Sequence, residues 1–142
     1  PEARGGAAGS QVVLGSDPIH HPHLIQPSSM IIMSQGACAK YLSFLAPGGV
    51  LLIDDGLVEL AADHRRDITT YGLSATRIAE KLGNNRAANT VMLGFWTAIA
   101  GAVSQEAMRQ SVAESVPPKT IDVNMKAFDE GYRKGIEVLG RS

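Results

Sequence analysis

Hydrophobic and polar positions alternate between two rhythms along this chain. Gln11 to Gly15 predicts a strand closed by Ser16-Asp17-Pro18, and Met30-Ile31-Ile32-Met33 is a short continuous apolar run of the kind buried on both faces of a sheet. Between Ser34 and Leu45 the spacing of Ala37, Tyr41, Leu42 and Leu45 is helical, and Pro47-Gly48-Gly49 stops the helix. Val50 to Ile53 is then a second buried strand. Strand, helix and strand at this spacing predict a βαβ unit with parallel pairing and a right-handed crossover.

Ile68 to Tyr71 predicts a further strand, followed by a helix from Ala75 to Leu82 that Gly83-Asn84 caps. Everything after it is helical. Ala87 to Ala100 is apolar nearly all round and belongs in the core, with Phe95 and Trp96 as its bulk. Ser104 is placed to cap a helix through Ser115 with Glu106 in its first turn, and Pro117-Pro118 breaks that helix. In the last helix Ile121, Met125, Phe128, Tyr132, Ile136 and Leu139 recur on one face, which predicts packing on its own sheet, with a partner-binding helix as the alternative. The apolar stretch 87–103 is interrupted by Asn89, Thr90, Thr97 and two glycines and is shorter than the roughly 20 apolar residues of a membrane span.

Composition narrows the classes. With 142 residues and 44% hydrophobic positions the chain is expected to form a single domain over 1–142 with one core. A formal net charge of −1 gives no electrostatic case for nucleic acid or for an anionic membrane. The single cysteine, Cys38, excludes an internal disulfide framework and suits a reducing cytoplasm. It also excludes an iron–sulfur cluster held by this chain alone, because such a cluster takes about four thiolates.

Candidate chemistry is sparse. Glu2, Arg4, Gly5 and Gly6 precede the first strand, and such a loop pairs a fixed cation with exposed backbone N–H groups, so it can hold an anion or clamp a partner. The alternative is an internal Glu2–Arg4 bridge pinning a tight turn. Asp54 ends a parallel strand, where open α/β sheets hold ligands, although an Asp-Asp-Gly turn more often bonds its own backbone. Asn89, near the start of a buried helix, needs hydrogen-bond partners; holding the fold is preferred for it over ligand contact. His20, His21 and His23 beside Pro22 read as a solvated loop, the run Asp63-His64-Arg65-Arg66-Asp67 as another, and Cys38 as a small core residue. No phosphate-binding loop, His-Glu-x-x-His or Gly-x-Ser-x-Gly turn is present, and Asn84-Asn85 lacks the upstream Gly-Asp-Gly of a thiamine diphosphate site. No catalytic residue and no metal site is expected in this chain.

Pro1-Glu2-Ala3-Arg4-Gly5-Gly6 followed by a strand resembles the gamma subunit of the 2-oxoacid:ferredoxin oxidoreductases. The likeness continues in order through Asp17-Pro18-Ile19, Ser34-Gln35, Pro47-Gly48-Gly49 with Leu51-Leu52-Ile53-Asp54, and Tyr71-Gly72-Leu73-Ser74-Ala75-Thr76. Beyond these come Ala88-Asn89 with Leu93-Gly94, Pro117-Pro118-Lys119, Asn124, Lys126-Ala127-Phe128 and Gly131. Each motif is short, and their collinearity carries the resemblance. Ser74 stands where many relatives have proline. The family places a further strand, a glycine-rich turn and a helix before the Pro-Glu segment, so the chain is expected to be truncated at its N-terminus.

The resemblance implies a three-layer α/β/α fold with a mostly parallel sheet and a helical C-terminal third. It implies a cytoplasmic complex that oxidatively decarboxylates a 2-oxoacid with coenzyme A, yielding acyl-CoA, carbon dioxide and reduced ferredoxin. Thiamine diphosphate, magnesium and iron–sulfur clusters would sit on alpha, beta and ferredoxin-like delta partners, or on ferredoxin itself. The Pro1–Gly6 form and Met33-Ser34-Gln35 are most similar to subunits acting on 2-oxoglutarate, with pyruvate and branched-chain 2-oxoacids as alternatives. Within that picture Glu2, Arg4, Gly5, Gly6 and Asn89 are expected at a partner interface or near coenzyme A, and Asp54 at a ligand edge. An isolated subunit is expected to self-associate through its apolar interface. Two other readings of the residues stand beside it: a stand-alone module binding a nucleotide or phosphorylated ligand, and a purely structural subunit.

Overall fold

A computed structural model of the chain describes residues 26–61 and 63–140. The expected strand at Gln11–Gly15, the Glu2–Gly6 loop and the histidine cluster at 20–23 lie outside the described residues. The chain divides into two compact units, one of 26–53 with Leu57–Gly72 and the other of Asp54–Gly56 with 73–140.

A parallel sheet in the order β1-β2-β3 is built from β1 (Ser29–Ile32), β2 (Val50–Asp54) and β3 (Thr69–Leu73), and all of it but the strand-end residues Asp54 and Leu73 belongs to the first unit. β1 and β2 pair in parallel with Met30 opposite Leu51 and Ile32 opposite Ile53. β3 runs the same way, because bonds from Thr69 N to Gly49 O (2.9 Å) and from Asp55 N to Leu73 O (3.1 Å) join like ends of the two strands. Between β1 and β2 lies α1 (Gln35–Tyr41), shorter than its apolar spacing predicts because the last turn tightens into a 3₁₀ turn at Leu42–Phe44. The Ser34 hydroxyl caps α1 by accepting from Ala37 N at 3.1 Å.

Gly48, at φ 77°, makes the turn back into β2. Ile32, Ala37, Cys38, Leu45, Leu51, Ile53 and Val58 form the core of this unit. Leu52, on the opposite face of β2, is also buried, as the uninterrupted apolar run predicts, and so is Asp54, which lies beyond that run.

The run 63–67 is more than the solvated loop its charges predict. Arg65 donates to the carbonyls of Leu42 (3.1 Å) and Leu45 (2.6 Å) and grips both carboxylate oxygens of Asp67 (3.0 and 2.7 Å). The guanidinium thereby ties down the turn where α1 ends, adding a second donor to the Leu42 carbonyl, which already accepts from Leu45 N, and bonding the Leu45 carbonyl, a task that its planar fork suits.

In the second unit α2 (Ala75–Lys81), α3 (Ala88–Ala100), α4 (Gln105–Ser115) and α5 (Ile121–Gly140) pack around Val91, Met92, Phe95 and Phe128, all fully buried. Trp96 is only partly buried, so Phe95 alone supplies the aromatic bulk expected of α3 in the core. Ser104 caps α4 as predicted, accepting from Ala107 N, and Gly101 closes α3 in the left-handed conformation.

The packing partner of α5 is the helix α3 rather than the expected sheet, and the seam between them differs from the predicted stripe. On α5 the buried line is Asn124, Ala127, Phe128, Gly131 and Gly135, while Ile136 and Leu139 are 49% and 39% exposed. Only Phe128 belongs to both sets. Gly94, Gly131 and Gly135 explain the rotation. A Cβ at Gly131 would overlap the Val91 carbonyl oxygen, and one at Gly94 would overlap that of Phe128. The two backbones approach so closely that small residues, rather than the largest apolar ones, must face each other, and the dispersion gained along the helices offsets the lost side-chain area.

Candidate functional site

Asp54, at the carboxyl end of β2, is fully buried. Its Oδ1 accepts from Gly56 N (3.0 Å), and its Oδ2 accepts from Thr76 N (2.9 Å) and from the Thr76 hydroxyl (2.7 Å). Part of this is the expected self-bonding turn. The remainder caps the first turn of α2 from outside the helix, where Ser74 makes no capping bond of its own. Ser74 instead donates to Asp55 Oδ1 at 2.6 Å. Both Asp54 oxygens are therefore occupied by protein donors.

Asn89 is exposed, which corrects the reading of it as a buried amide in need of partners. The helical phase places Thr90 inward in its stead: Thr90 donates to Asn124 Oδ1 at 2.6 Å, and Asn124 Nδ2 donates to the Thr120 carbonyl at 3.0 Å. This buried relay ties the start of α3 to the start of α5 and leaves each of these polar side chains satisfied.

The relay forms the floor of a cleft of about 460 Å³. Asn84, Arg86, Asn89 and Thr90 line its α3 side, and Val116, Pro117, Thr120 and Asn124 its α5 side. Asn84 Oδ1 accepts from Arg86 N at 3.0 Å, which fixes the 3₁₀ turn Asn85–Ala87 leading into α3. Opposite, Pro117 and Pro118 start the 3₁₀ turn leading into α5, with Thr120 bonding back to the Pro117 carbonyl.

The lining offers amides, hydroxyls and one guanidinium, with no carboxylate, thiol or imidazole. It can bind and orient a group; it has no nucleophile activated by a neighbouring base and no acid–base pair. Cys38, the one thiol in the chain, is buried in the other unit, and burial pushes its pKa up, which makes it less reactive. Among the described residues no three His, Cys, Asp or Glu side chains gather to hold a metal ion.

The sequence singled out Asn89 but passed over Arg86 and Thr120, and Asn124 entered only as a motif residue of the resemblance, with no role in a site. Their sequence signals are real but local: Asn84 two residues before Arg86 is a capping pattern, and the proline pair marks the start of α5. Nothing in the spacing says that the two helix starts meet.

Comparisons with known proteins agree with this fold. The 2-oxoglutarate synthase subunit KorC of Methanocaldococcus jannaschii is 40% identical over 139 residues, spanning 97% of this chain and 74% of that subunit. The ketoisovalerate oxidoreductase subunit VorA of Methanothermobacter marburgensis is 28% identical over 96% of this chain but only 30% of its own length. Among solved structures, the gamma subunit of a keto/oxoacid ferredoxin oxidoreductase from Geobacter sulfurreducens matches with a TM-score of 0.73 and 34% identity, over 79% of this chain and 66% of that one. The family model for pyruvate ferredoxin/flavodoxin oxidoreductase matches residues 1–134, and the chain belongs to that family.

Proposed function

We propose that this chain is the gamma subunit of a cytoplasmic 2-oxoacid:ferredoxin oxidoreductase that acts on 2-oxoglutarate. The observation that carries the reading is the 40% identity to a 2-oxoglutarate synthase subunit along 97% of the chain. In the proposed reaction the 2-oxoacid loses carbon dioxide, the remaining acyl group is transferred to the coenzyme A thiol, and two electrons pass to ferredoxin.

The described residues do not fit the cofactors of that chemistry. Cys38 is the chain's only cysteine, and among the described residues no carboxylate cluster suits a magnesium-bound diphosphate. Thiamine diphosphate, magnesium and the iron–sulfur clusters are therefore assigned to alpha, beta and ferredoxin-like delta partners. This chain completes the assembly and helps to shape the approach of coenzyme A, with Glu2, Arg4, Gly5 and Gly6 at the partner interface or beside coenzyme A. Asn89 is assigned the same surroundings because its amide faces an open polar cleft. Asp54 is assigned to positioning the strand end rather than to touching a ligand, since its oxygens are already engaged.

An anaerobic pull-down from the native cytoplasm, followed by mass spectrometry and a coenzyme A-dependent assay with 2-oxoglutarate and pyruvate, tests the reading. Co-purifying thiamine-binding and iron–sulfur subunits with activity on 2-oxoglutarate are expected. A partner-free monomer would overturn the subunit assignment and promote a stand-alone binding module. In the assembled enzyme Arg4→Ala should raise KM for coenzyme A if the loop touches it; unchanged kinetics with weaker assembly would restrict the loop to the interface.

A further inference from the structure

We propose that the cleft between the starts of α3 and α5 is an anion site that takes a phosphate group of a small-molecule ligand, with the Arg86 guanidinium as its charge partner. The proposal rests on the reading above, in which Asn89 faces a ligand, and it names that ligand's chemistry.

Four observations in the cleft support it. Arg86 is the only charged residue on the lining, so no carboxylate competes for the guanidinium there. Arg65, Arg109 and Arg133 are each held by a carboxylate, whereas Arg66, Arg77 and Arg86 have no ion-pair partner among the described residues, and of these three only Arg86 lines the cleft. Its planar fork is therefore free to bind a tetrahedral anion with two parallel hydrogen bonds. Asn84 spends its carbonyl oxygen on the Arg86 backbone, which leaves its NH₂ group to donate outward, and Asn89 adds an exposed amide.

The floor is already fixed by the Thr90–Asn124–Thr120 relay, so a ligand does not have to order it. The volume of about 460 Å³ lies within the roughly 300–1,000 Å³ typical of small-molecule sites and exceeds what one side-chain carboxylate of a partner would fill. Several donors around one cation suit a group with several oxygens.

Titration of the full chain with inorganic pyrophosphate by calorimetry tests the site. Saturable binding that weakens with added salt is expected, as for any ligand held by an exposed cation. Arg86→Gln should weaken that binding by at least about tenfold, the scale of a charge-assisted contact, while Arg86→Lys keeps part of it. Arg77→Gln, on the exposed surface of α2, serves as the control and should change nothing. No binding to the unaltered chain, an unchanged affinity in Arg86→Gln, or an equal loss in Arg77→Gln would each overturn the proposal.

The assembled oxidoreductase separates this failure from that of the functional reading. Coenzyme A-dependent activity without pyrophosphate binding removes the anion site and leaves the subunit assignment standing. Pyrophosphate binding lost in Arg86→Gln with an unchanged KM for coenzyme A keeps the anion site and removes coenzyme A as the ligand near Asn89.

Discussion

Gly131→Ala probes the closest approach of two helices in the second unit. A Cβ at that position would overlap the Val91 carbonyl oxygen, lie 2.8 Å from the Val91 carbonyl carbon and 3.0 Å from the Phe95 amide nitrogen. All three are backbone atoms, so no rotamer change relieves the clash, and α3 and α5 must move apart. Separation also loosens Gly135, whose Cβ position is 2.6 Å from the Ala98 methyl. Overpacking of a core costs about 1–3 kcal/mol, and rigid backbone neighbours put this site at the upper end. Alanine's better helix propensity returns about 1 kcal/mol, for a net loss of about 2 kcal/mol. At about 3–5 °C per kcal/mol for a chain of this size, the Tm should fall by about 6–10 °C.

Trp96, the only tryptophan, sits on α3 and reports unfolding of this unit by fluorescence in urea or on heating. Gly140→Ala on the same helix is the control, since nothing lies within 4 Å of its Cβ position. A Gly131→Ala protein as stable as the unaltered chain would refute the close packing of α3 on α5.

Asp54→Ala should destabilise the chain by about 2–4 kcal/mol in urea titrations, because it leaves the Thr76 amide and hydroxyl and the Gly56 amide without their acceptor; a loss under about 1 kcal/mol would contradict the burial of that network. The hydrogen bonds from Arg65 hold the Asp67 carboxyl below its ordinary pKa, so its contribution is complete above the unfolded value of about 3.9 and is lost as pH falls through the lowered folded value. Arg65→Ala should accordingly lower the Tm at pH 7, with part of the deficit disappearing at acid pH, and an equal deficit at both would assign the whole effect to the Leu42 and Leu45 carbonyls. Cys38 should resist iodoacetamide at pH 7.5 in the folded chain and react in urea; fast alkylation without denaturant would contradict its burial.

Elements governed by local chemistry are legible in the order of residues alone. The run Val50–Ile53 and the Ser104 cap each follow from a few adjacent residues, and each appears where the pattern puts it. Other features are not legible there, because they depend on which distant surfaces meet. Arg65 reads as a solvated charge, since its partners at Leu42 and Leu45 lie about twenty residues away in sequence. Asn89 and Thr90 are adjacent, and a step of about 100° around the helix decides which of them is buried; only the position of α5 makes that choice.

The order of strands and helices, the parallel βαβ unit and, through collinear motifs, the family are thus readable from the residues in order. Tertiary structure alone decided that glycines rather than the large apolar stripe of α5 form its seam with α3, and that the starts of these two helices enclose a polar cleft around Arg86. The reason is physical: periodicity reports which residues share a face of one element, whereas the packing partner of that face is set by backbone approach and steric fit between elements far apart in the chain.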